Sequence, residues 1–212
     1  KWLTYRFLRE SGFDAPRSCL PDGLDEFVKS TPFPWIVKPR VGSTSKGLFR
    51  ISNIETLNHA LKNCDNPIIQ EEVGDTEGEF TCGVVVARGR ILSSIPLRRK
   101  LKNGNTSVAY FNESDEVDRY IRQVAEKLGP DGPINIQLRL TTNGPMVFEI
   151  NPRFSGTTPV RAIFGVNEVS ILIEYLETGM LSDKPLPKEG MVVRYTVDQF
   201  VSNNEVKRLN VL

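Results

Sequence analysis

Residues 134–156, INIQLRLTTNGPMVFEINPRFSG, are the stretch that most limits how this chain can fold. Apolar and polar residues alternate there with a period of two, which is typical of a strand with one face in a core. The apolar set of the first half is Ile134, Ile136, Leu138 and Leu140. After the turn signal Asn143-Gly144, the apolar set is Met146, Phe148 and Ile150. The stretch therefore predicts a β-hairpin.

The polar face of this hairpin gathers oxygen-bearing side chains. If the connecting loop has an odd number of residues, Gln137 lies opposite Glu149 and both project from one face. Asn151 and Arg153 continue that face. Magnesium prefers oxygen ligands beside nucleotide phosphates, and a guanidinium binds phosphate oxygens as a fork. The alternative is an edge hairpin whose polar face is solvated and carries an Arg–Glu pair.

Composition and charge exclude several classes of site. With 212 residues, the chain can bury a core as one domain or as two small ones. The net charge of +1 gives no sign of a nucleic-acid or membrane surface, and no apolar run is long enough to span a bilayer. Cys19, Cys64 and Cys82 lack the spacing of a zinc site or a disulfide framework, so we expect a reducing compartment, the cytoplasm. The single histidine, His59, lies on a predicted helix as a solvated residue, which excludes histidine-based triads.

A loop of small residues follows the first predicted strand. Residues 35–37 are apolar, and the strand they predict ends on Lys38. Backbone N–H groups and hydroxyls of small residues can wrap an anion, and the loop contains Gly42, Ser43, Thr44, Ser45 and Gly47. Lys38 is placed to reach the same anion. The helix-linked phosphate loop, GxxxxGKS/T, is absent because strand-forming residues follow. The alternative is an ordinary flexible hairpin tip.

The segment IIQEEV, residues 68–73, predicts a strand that runs into unpaired backbone. Such an edge suits a purine, because adenine needs one backbone acceptor and one backbone donor. A ribose needs a carboxylate, which Glu79 at the start of the next strand can supply. The alternative is a solvated acidic turn that contains Glu71, Glu72, Glu77 and Glu79.

A basic cluster, Arg98, Arg99 and Lys100, ends the strand predicted for ILSSIPLRRK. Three cations there can hold phosphates or an acidic substrate, and the alternative is a basic surface patch. The polar residues that follow, KNGNTS, predict a mobile loop. Helical periodicity and capping residues predict helices at 2–11, 25–30, 54–62, 113–129 and 167–179, and a closing strand at 191–200.

Taken in order, these features resemble the ATP-grasp superfamily, in particular its carbamoyl-phosphate-synthase-like and carboxylate–amine ligase members. The order is a Lys after a strand, a Gly/Ser hairpin loop, an apolar strand into QEEV, a Glu on the next strand, and then Q…E-x-N-x-R. The resemblance covers about residues 1 to 180. Its most specific part is EINPRFSG preceded by GPINIQ.

The resemblance implies an α+β fold in which two α+β subdomains clasp ATP. The first would span residues 1–72, with its phosphate loop at 40–47, and the second would span residues 73–212. Such proteins normally carry an amino-terminal α/β domain ahead of this region. We therefore expect the chain, which lacks that domain, to be covalently continuous with an upstream α/β domain in a longer protein.

The resemblance also implies a role for each matching residue. Nucleotide-binding residues would be Lys1, Lys38, the loop residues Gly42, Ser43, Thr44, Ser45 and Gly47, the adenine hinge Gln70, Glu71, Glu72 and Val73, and Glu79 at the ribose. Ligands of one or two Mg²⁺ (or Mn²⁺) ions would be Gln137, Glu149 and Asn151. Catalytic residues at the transferring phosphoryl group would be Arg153 and one of Arg98 and Arg99, with Arg99 as the predicted member.

Two departures from the family pattern leave alternatives open. Many members have a carboxylate at the position of Gln137. The neutral amide of Gln137 therefore makes the first metal ligand less negative. The segment VGDTEGE between the hinge and the next strand is longer than usual, so that Glu77 is an alternative to Glu79 at the ribose.

The implied reaction is an ATP- and Mg²⁺-dependent ligation of a small-molecule carboxylate to an amine through an acyl phosphate. Phosphoryl transfer needs positioning and charge neutralisation more than it needs a protein nucleophile. One alternative is a nucleotide-binding module that does not ligate by itself. The other is carbamoyl-phosphate-synthase-type phosphorylation of bicarbonate or carbamate. No nucleic-acid or membrane partner is expected.

Overall fold

Two antiparallel sheets and their covering helices make up the computed structural model, which describes residues 1–42, 47–74, 78–112, 114–181, 187–197 and 200–202. The helices are α1 (Trp2–Glu10), α2 (Leu24–Ser30), α3 (Ile54–Asn63), α4 (Asp115–Leu128), α5 (Thr158–Ile163) and α6 (Glu168–Thr178). The strands are β1 (Ser18–Cys19), β2 (Trp35–Pro39), β3 (Phe49–Ile51), β4 (Pro67–Glu71), β5 (Glu79–Ala87), β6 (Arg90–Lys102), β7 (Asn105–Phe111), β8 (Gly132–Thr141), β9 (Gly144–Asn151) and β10 (Gly190–Val193). No helix in these ranges is long and apolar enough to cross a membrane.

The strands are divided between a small sheet and a large sheet. The small sheet has the order β1-β4-β2-β3 and the large sheet has the order β10-β7-β6-β5-β8-β9. Every pairing is antiparallel. The predicted α+β class is therefore confirmed. The division of the chain at residue 72 stays a prediction. Leu8 of α1, which belongs to the first predicted subdomain, packs in the core beneath the large sheet.

Local sequence signals explain where the helices begin and end, and all five predicted helices occur within two residues of their predicted bounds. Asn53 caps α3, because its side chain accepts a hydrogen bond from the Thr56 N–H at 2.9 Å. Gly129 and Gly179 end α4 and α6 in the left-handed conformation, with φ of 61° and 71°. The predicted closing strand is shorter than expected, since β10 ends at Val193.

Strand alternation buries one face of the small sheet and most of both faces of the large sheet, which leaves the surfaces that line the cleft between them. In β2, Trp35 and Val37 are buried against α2 and α3, whereas Ile36 and Lys38 face the other side. In the large sheet, β5 and β8 send Phe80, Cys82, Val84, Ile134, Ile136 and Leu138 into a core with α1 and α4. On the opposite face, Val160 of α5 and Phe164, directly after this helix, cover the β6–β7 side. The uncovered end of that opposite face looks toward the small sheet.

The β8–β9 hairpin has the predicted pairing of Gln137 with Glu149, but it reaches this pairing by another route. The loop between the strands has two residues, Thr142 and Asn143, so the odd loop length on which the pairing was made conditional does not occur. A register shift after Gln137 leaves Phe148 without an opposite residue, which is a β-bulge. The bulge changes which residues face the core: Val147 is fully buried, and the expected core residue Met146 is not.

The residues KNGNTS form a tight hairpin, so the polar loop predicted there is only a two-residue turn, and its mobility stays a prediction. Strand β6 extends to Lys102 and β7 begins at Asn105. Asn103 and Gly104 connect them with φ of 53° and 75°. Positive φ at both central residues is the pattern of the two-residue turn that matches the twist of paired strands. The Asn-Gly signal therefore marks a second hairpin.

A buried ion pair joins α5 and α6 to the large sheet. Arg161 Nε lies 2.8 Å from Glu168 Oε2, and each side chain is 1% exposed. Arg161 also donates to the Thr157 hydroxyl at 2.8 Å and to the Ser155 hydroxyl at 3.0 Å. The pair lies against Gly83 of β5, where a Cβ atom would be 2.0 Å from Glu168 Oε1. Only glycine leaves room for the pair at this position.

We predict that Gly83→Ala lowers the free energy of unfolding by about 3 kcal/mol, because the methyl group either overpacks the site or separates the buried charges. Urea denaturation followed by circular dichroism measures the loss. Gly74→Ala is the matched control, since a Cβ atom there meets nothing within 4 Å, and its effect should stay within about 0.5 kcal/mol. Equal stability of the two variants would contradict this account of the ion pair.

Candidate nucleotide-binding cleft

A cleft of about 620 Å³ lies between the small sheet and the large sheet. Among the described residues that line it, cationic side chains outnumber carboxylates by seven to four. Most of the predicted site residues meet here: Lys1, Lys38, Gly42, Gln70, Glu71, Glu72, Val73, Glu79, Arg99, Gln137, Glu149 and Arg153. A concave surface with this charge balance suits a polyanionic ligand.

Some predicted residues lie elsewhere. Gly47 lines a separate depression that shares Lys1, Pro39 and Gly42 with the cleft. Asn151 lies two residues after Glu149 on β9 and does not line the cleft. Its partner on β8, Asn135, does line the cleft. The remaining predicted residues lie outside the described part of the chain: Ser43, Thr44, Ser45 and the alternative ribose residue Glu77.

Lys38 projects from β2 into the cleft with a neutral partner. Its Nζ donates to Gln70 Oε1 at 2.8 Å, and Gln70 Nε2 donates to the Ser18 hydroxyl at 2.9 Å. Burial lowers the pKa of Lys38 to about 8, and the Glu149 carboxylate across the cleft partly opposes the shift. An amide partner holds the ammonium group in place without neutralising it. Lys38 is therefore a cation that is held in place and that loses its charge at a pH only slightly above neutral.

Lys1 fixes the start of the small-residue loop. Its Nζ donates to the carbonyl of Pro39 at 2.8 Å and to the carbonyl of Gly42 at 3.3 Å. These two carbonyls belong to the end of β2 and to the loop that follows it. The cation thus sits beside the loop that the sequence predicts to bind phosphates.

The base of the large-sheet wall is a network of two arginines and two acceptors. Arg99 Nε lies 3.0 Å from Glu79 Oε1, and Arg99 Nη2 donates to Gln137 Oε1 at 2.9 Å. Arg139 Nη2 lies 3.6 Å from the other oxygen of Glu79. The side chains of Arg99 and Glu79 are only 11% and 15% exposed. Glu79 is thus held at the cleft wall between two positive charges.

The basic cluster predicted at the end of β6 does not converge on one point. Arg99 faces the cleft, whereas Arg98 lies over the ring of Tyr110 at 4.9 Å and Lys100 is exposed. Strand alternation explains the separation, because neighbouring residues point to opposite faces. Of the two arginines considered for the phosphoryl group, only Arg99 lines the cleft.

The oxygen donors of β9 fit a hard cation. Glu149 is half-buried, and within the described ranges its carboxylate accepts no hydrogen bond and forms no salt bridge. The Nδ2 atom of Asn151 is buried and has no hydrogen-bond partner among the residues that the structure describes. The carboxylate oxygens of Glu149 suit a bound metal, whereas the Asn151 amide N–H suits an acceptor such as a phosphate oxygen. Gln137 Oε1 can join them, although it already accepts a hydrogen bond from Arg99.

Several cleft residues were not identified from the sequence. Arg139 had no predicted role, although strand alternation puts it on the same face of β8 as Gln137, and Phe148 was placed on the apolar face. The bulge turns Phe148 toward the cleft, where Lys38 Nζ lies 5.9 Å from its ring centre. Arg194, beyond β10, reaches the cleft and donates to the Gly156 carbonyl. No local sequence signal marks Arg194, because its position depends on the pairing of β10 with β7.

A family model described as "ATP-grasp in the biosynthetic pathway with Ter operon" matches residues 69–199. Two curated relatives are the carbamoyl phosphate synthase large chains of Helicobacter pylori strains J99 and 26695. Each is 24% identical over 173 residues, which cover 72% of this chain and 16% of the relative.

Solved structures share the fold of this chain. An ADP complex of the N5-carboxyaminoimidazole ribonucleotide synthetase purK has a TM-score of 0.74 at 16% identity, covering 91% of this chain and 55% of that one. The Thermotoga maritima enzyme of the same name has a TM-score of 0.67 at 23% identity, covering 88% and 51%. The biotin carboxylase domain of Hydrogenobacter thermophilus 2-oxoglutarate carboxylase, solved with MgADP and bicarbonate, has a TM-score of 0.70 at 14% identity, covering 88% and 47%.

These matches confirm the predicted ATP-grasp fold and the resemblance to carbamoyl-phosphate-synthase-like proteins. The chain spans about half the length of the solved structures that it matches. Because the family model covers more than half of the residues, the chain belongs to the ATP-grasp family of the biosynthetic pathway with the Ter operon.

Proposed function

We propose that the chain binds MgATP in the cleft and transfers the γ-phosphoryl group to a small-molecule carboxylate, so that an amine can attack the acyl phosphate. The observation that carries this proposal is the excess of cationic side chains around the cleft. Among the described residues, the Glu149 carboxylate in the same cleft has no hydrogen-bond or salt-bridge partner. Similar proteins support it by name: an L-amino acid ligase from Bacillus licheniformis and a carboxylase domain solved with MgADP and bicarbonate.

In this proposal the small sheet and its loop hold the nucleotide. Lys38 and Lys1 would contact the phosphates, and the loop at 40–47 would close over them. Residues 70–73 would contact the adenine, and Glu79 would bind the ribose, with Glu77 as the alternative. Glu79 Oε2 has the more distant arginine contact, which leaves that oxygen better placed to accept a ribose hydroxyl.

Glu149 and Asn151, with Gln137, would hold one or two Mg²⁺ ions, and Mn²⁺ suits the same oxygen donors. A bound Mg²⁺ ion neutralises charge on the β- and γ-phosphates during transfer. Arg99 and Arg153 would add fixed positive charge at the phosphoryl group, where a preorganised dipole or charge acts without reorganisation. Gln137 would then share its oxygen between Arg99 and the metal.

The chemistry needs no nucleophile from the protein. A carboxylate oxygen forms the new bond to the γ-phosphorus while the bond to ADP breaks. The amine then attacks the acyl carbon, and phosphate leaves. The buried thiols agree with this route, because burial raises the pKa of Cys82 to about 12 and leaves it protonated at neutral pH.

A second candidate is the phosphorylation of bicarbonate or carbamate. It is favoured by the curated relatives, which are carbamoyl phosphate synthase large chains. Bicarbonate-stimulated ATP hydrolysis would distinguish it from carboxylate–amine ligation. A chain that binds ATP but releases no phosphate with any acceptor pool would instead act as a nucleotide-binding part of a longer protein with an upstream α/β domain.

We predict that the double variant Glu149→Ala/Asn151→Ala lowers ATP turnover about a hundredfold or more, because metal-ion stabilisation of phosphoryl transfer is worth several kcal/mol. Phosphate release and Mg²⁺-dependent ATP binding by calorimetry measure the loss. Wild-type binding at micromolar strength, roughly −8 kcal/mol, is the reference. Glu177→Gln on the exposed side of α6 is the control and should leave both quantities unchanged. Retained turnover in a folded double variant would refute the proposal.

We predict that ATP affinity falls about tenfold between pH 7 and pH 9.5, because Lys38 has a pKa of about 8. Below that pH the ammonium group is charged and attracts phosphate; above it the charge is lost. ATP raises the pKa of Lys38, so binding near pH 8 should take up protons. Calorimetry in buffers of different ionisation enthalpy measures that uptake. In Lys38→Arg, which stays charged, affinity should not depend on pH over this range; a wild type without pH dependence would contradict the role of Lys38.

A further inference from the structure

The backbone at Glu71 departs from the usual antiparallel exchange. In a hydrogen-bonded pair of antiparallel residues, each N–H donates to the carbonyl of the other. The Glu71 N–H donates to the Arg17 carbonyl at 2.9 Å. The Arg17 N–H does not return the bond to the Glu71 carbonyl; it donates to the Glu71 carboxylate, at 2.7 Å from Oε1. The carboxylate of Glu71 thus accepts the Arg17 N–H hydrogen bond that the Glu71 carbonyl would accept in a regular strand pair.

The strand on the other side does not use the Glu71 carbonyl either. Trp35 of β2 is the residue opposite Glu71. The Glu72 N–H donates to the Pro34 carbonyl at 3.0 Å, which makes that pair the hydrogen-bonded one. Because bonded and non-bonded pairs alternate, Trp35 does not donate to Glu71. The Glu71 carbonyl is therefore an acceptor without a donor among the described residues.

A free donor lies two residues further along the same edge. The Val73 carbonyl accepts a hydrogen bond from Arg139, but the Val73 N–H has no acceptor in the described part of the chain. In an extended chain, residues two apart present their polar groups on the same side. Glu71 and Val73 both line the cleft, and so does Pro16, which has no N–H to compete for the edge.

An acceptor and a donor at this spacing match the edge of adenine, whose 6-amino group donates and whose N1 atom accepts. We propose that Glu71 is a positioning residue for adenine: its carboxylate holds the Arg17 N–H and so keeps the Glu71 carbonyl open for the 6-amino group. This inference rests on the proposed nucleotide site. Without the carboxylate, the Arg17 N–H turns to the Glu71 carbonyl, the strand pair closes, and the 6-amino group loses its acceptor.

The test compares two nucleotides on the full chain by calorimetry, ATP and purine riboside 5′-triphosphate, which lacks only the 6-amino group. Wild type should bind ATP roughly threefold to tenfold more tightly, as expected for one hydrogen bond. In Glu71→Ala the two affinities should become equal. Glu71→Gln should keep the preference, because its amide oxygen can accept the Arg17 N–H. A purely structural loss would lower both affinities together and leave their ratio unchanged.

Glu10→Ala is the matched control, since its carboxylate on α1 pairs with Arg6 at 2.7 Å, holds no backbone N–H and lies outside the cleft; its ATP preference should equal that of wild type. If Glu71→Ala does not fold, Glu71→Met replaces the carboxylate at similar length. An unchanged preference in Glu71→Ala, or its loss in Glu71→Gln or Glu10→Ala, overturns the inference. Failure of wild type to bind either nucleotide overturns the proposed function itself.

Discussion

The bulge at Phe148 is the constraint on which the large-sheet wall of the cleft depends. A two-residue turn alone would pair Gln137 with Phe148 and send Glu149 to the opposite face, beside Ile136 in the core. An unpaired carboxylate in an apolar core is strongly unfavourable. The extra residue lets Val147 stay buried while Glu149 reaches the cleft. One inserted residue therefore satisfies both the core and the site, which a regular ladder could not do.

Several cations of the cleft are held by neutral oxygen acceptors, which leave their positive charge uncompensated. Lys38 is bound by an amide and Lys1 by two carbonyls, whereas Arg99 and Arg139 share the Glu79 carboxylate and Arg50 pairs with Glu72. Mutual repulsion among the remaining positive charges opposes the close approach of the two sheets. A polyanion would relieve this repulsion. The local polar network is thus less than optimal for folding alone, which is typical of a binding site.

Periodicity and turn chemistry were sufficient to predict much of the fold. The alternation in residues 134–150 predicted the β8–β9 hairpin and the facing pair of Gln137 and Glu149, and capping residues predicted the helix ends. The order of short motifs predicted the family, although no single motif would have done so. These signals are local, and each depends on residues close together in the chain.

The features that the sequence did not predict depend on longer-range packing. No residue composition marks a β-bulge. The sequence therefore did not predict the two-residue loop or the burial of Val147, although the pairing of Gln137 with Glu149 was right. The hairpin at Asn103 was missed because polar residues around the Asn-Gly pair outweighed its turn signal. Arg194 reaches the cleft only through the pairing of β10 with β7, which brings together residues far apart in sequence.

The contact of Gly83 with Arg161 and Glu168 has a consequence for how this chain can diverge. The two charges need each other, and both need a residue without a side chain on the neighbouring strand. Replacing any one of the three would leave a buried charge or a steric clash, so single substitutions are disfavoured at all three positions. Among related sequences, these positions should change together, as glycine with an arginine–glutamate pair or as a larger strand residue with two apolar partners.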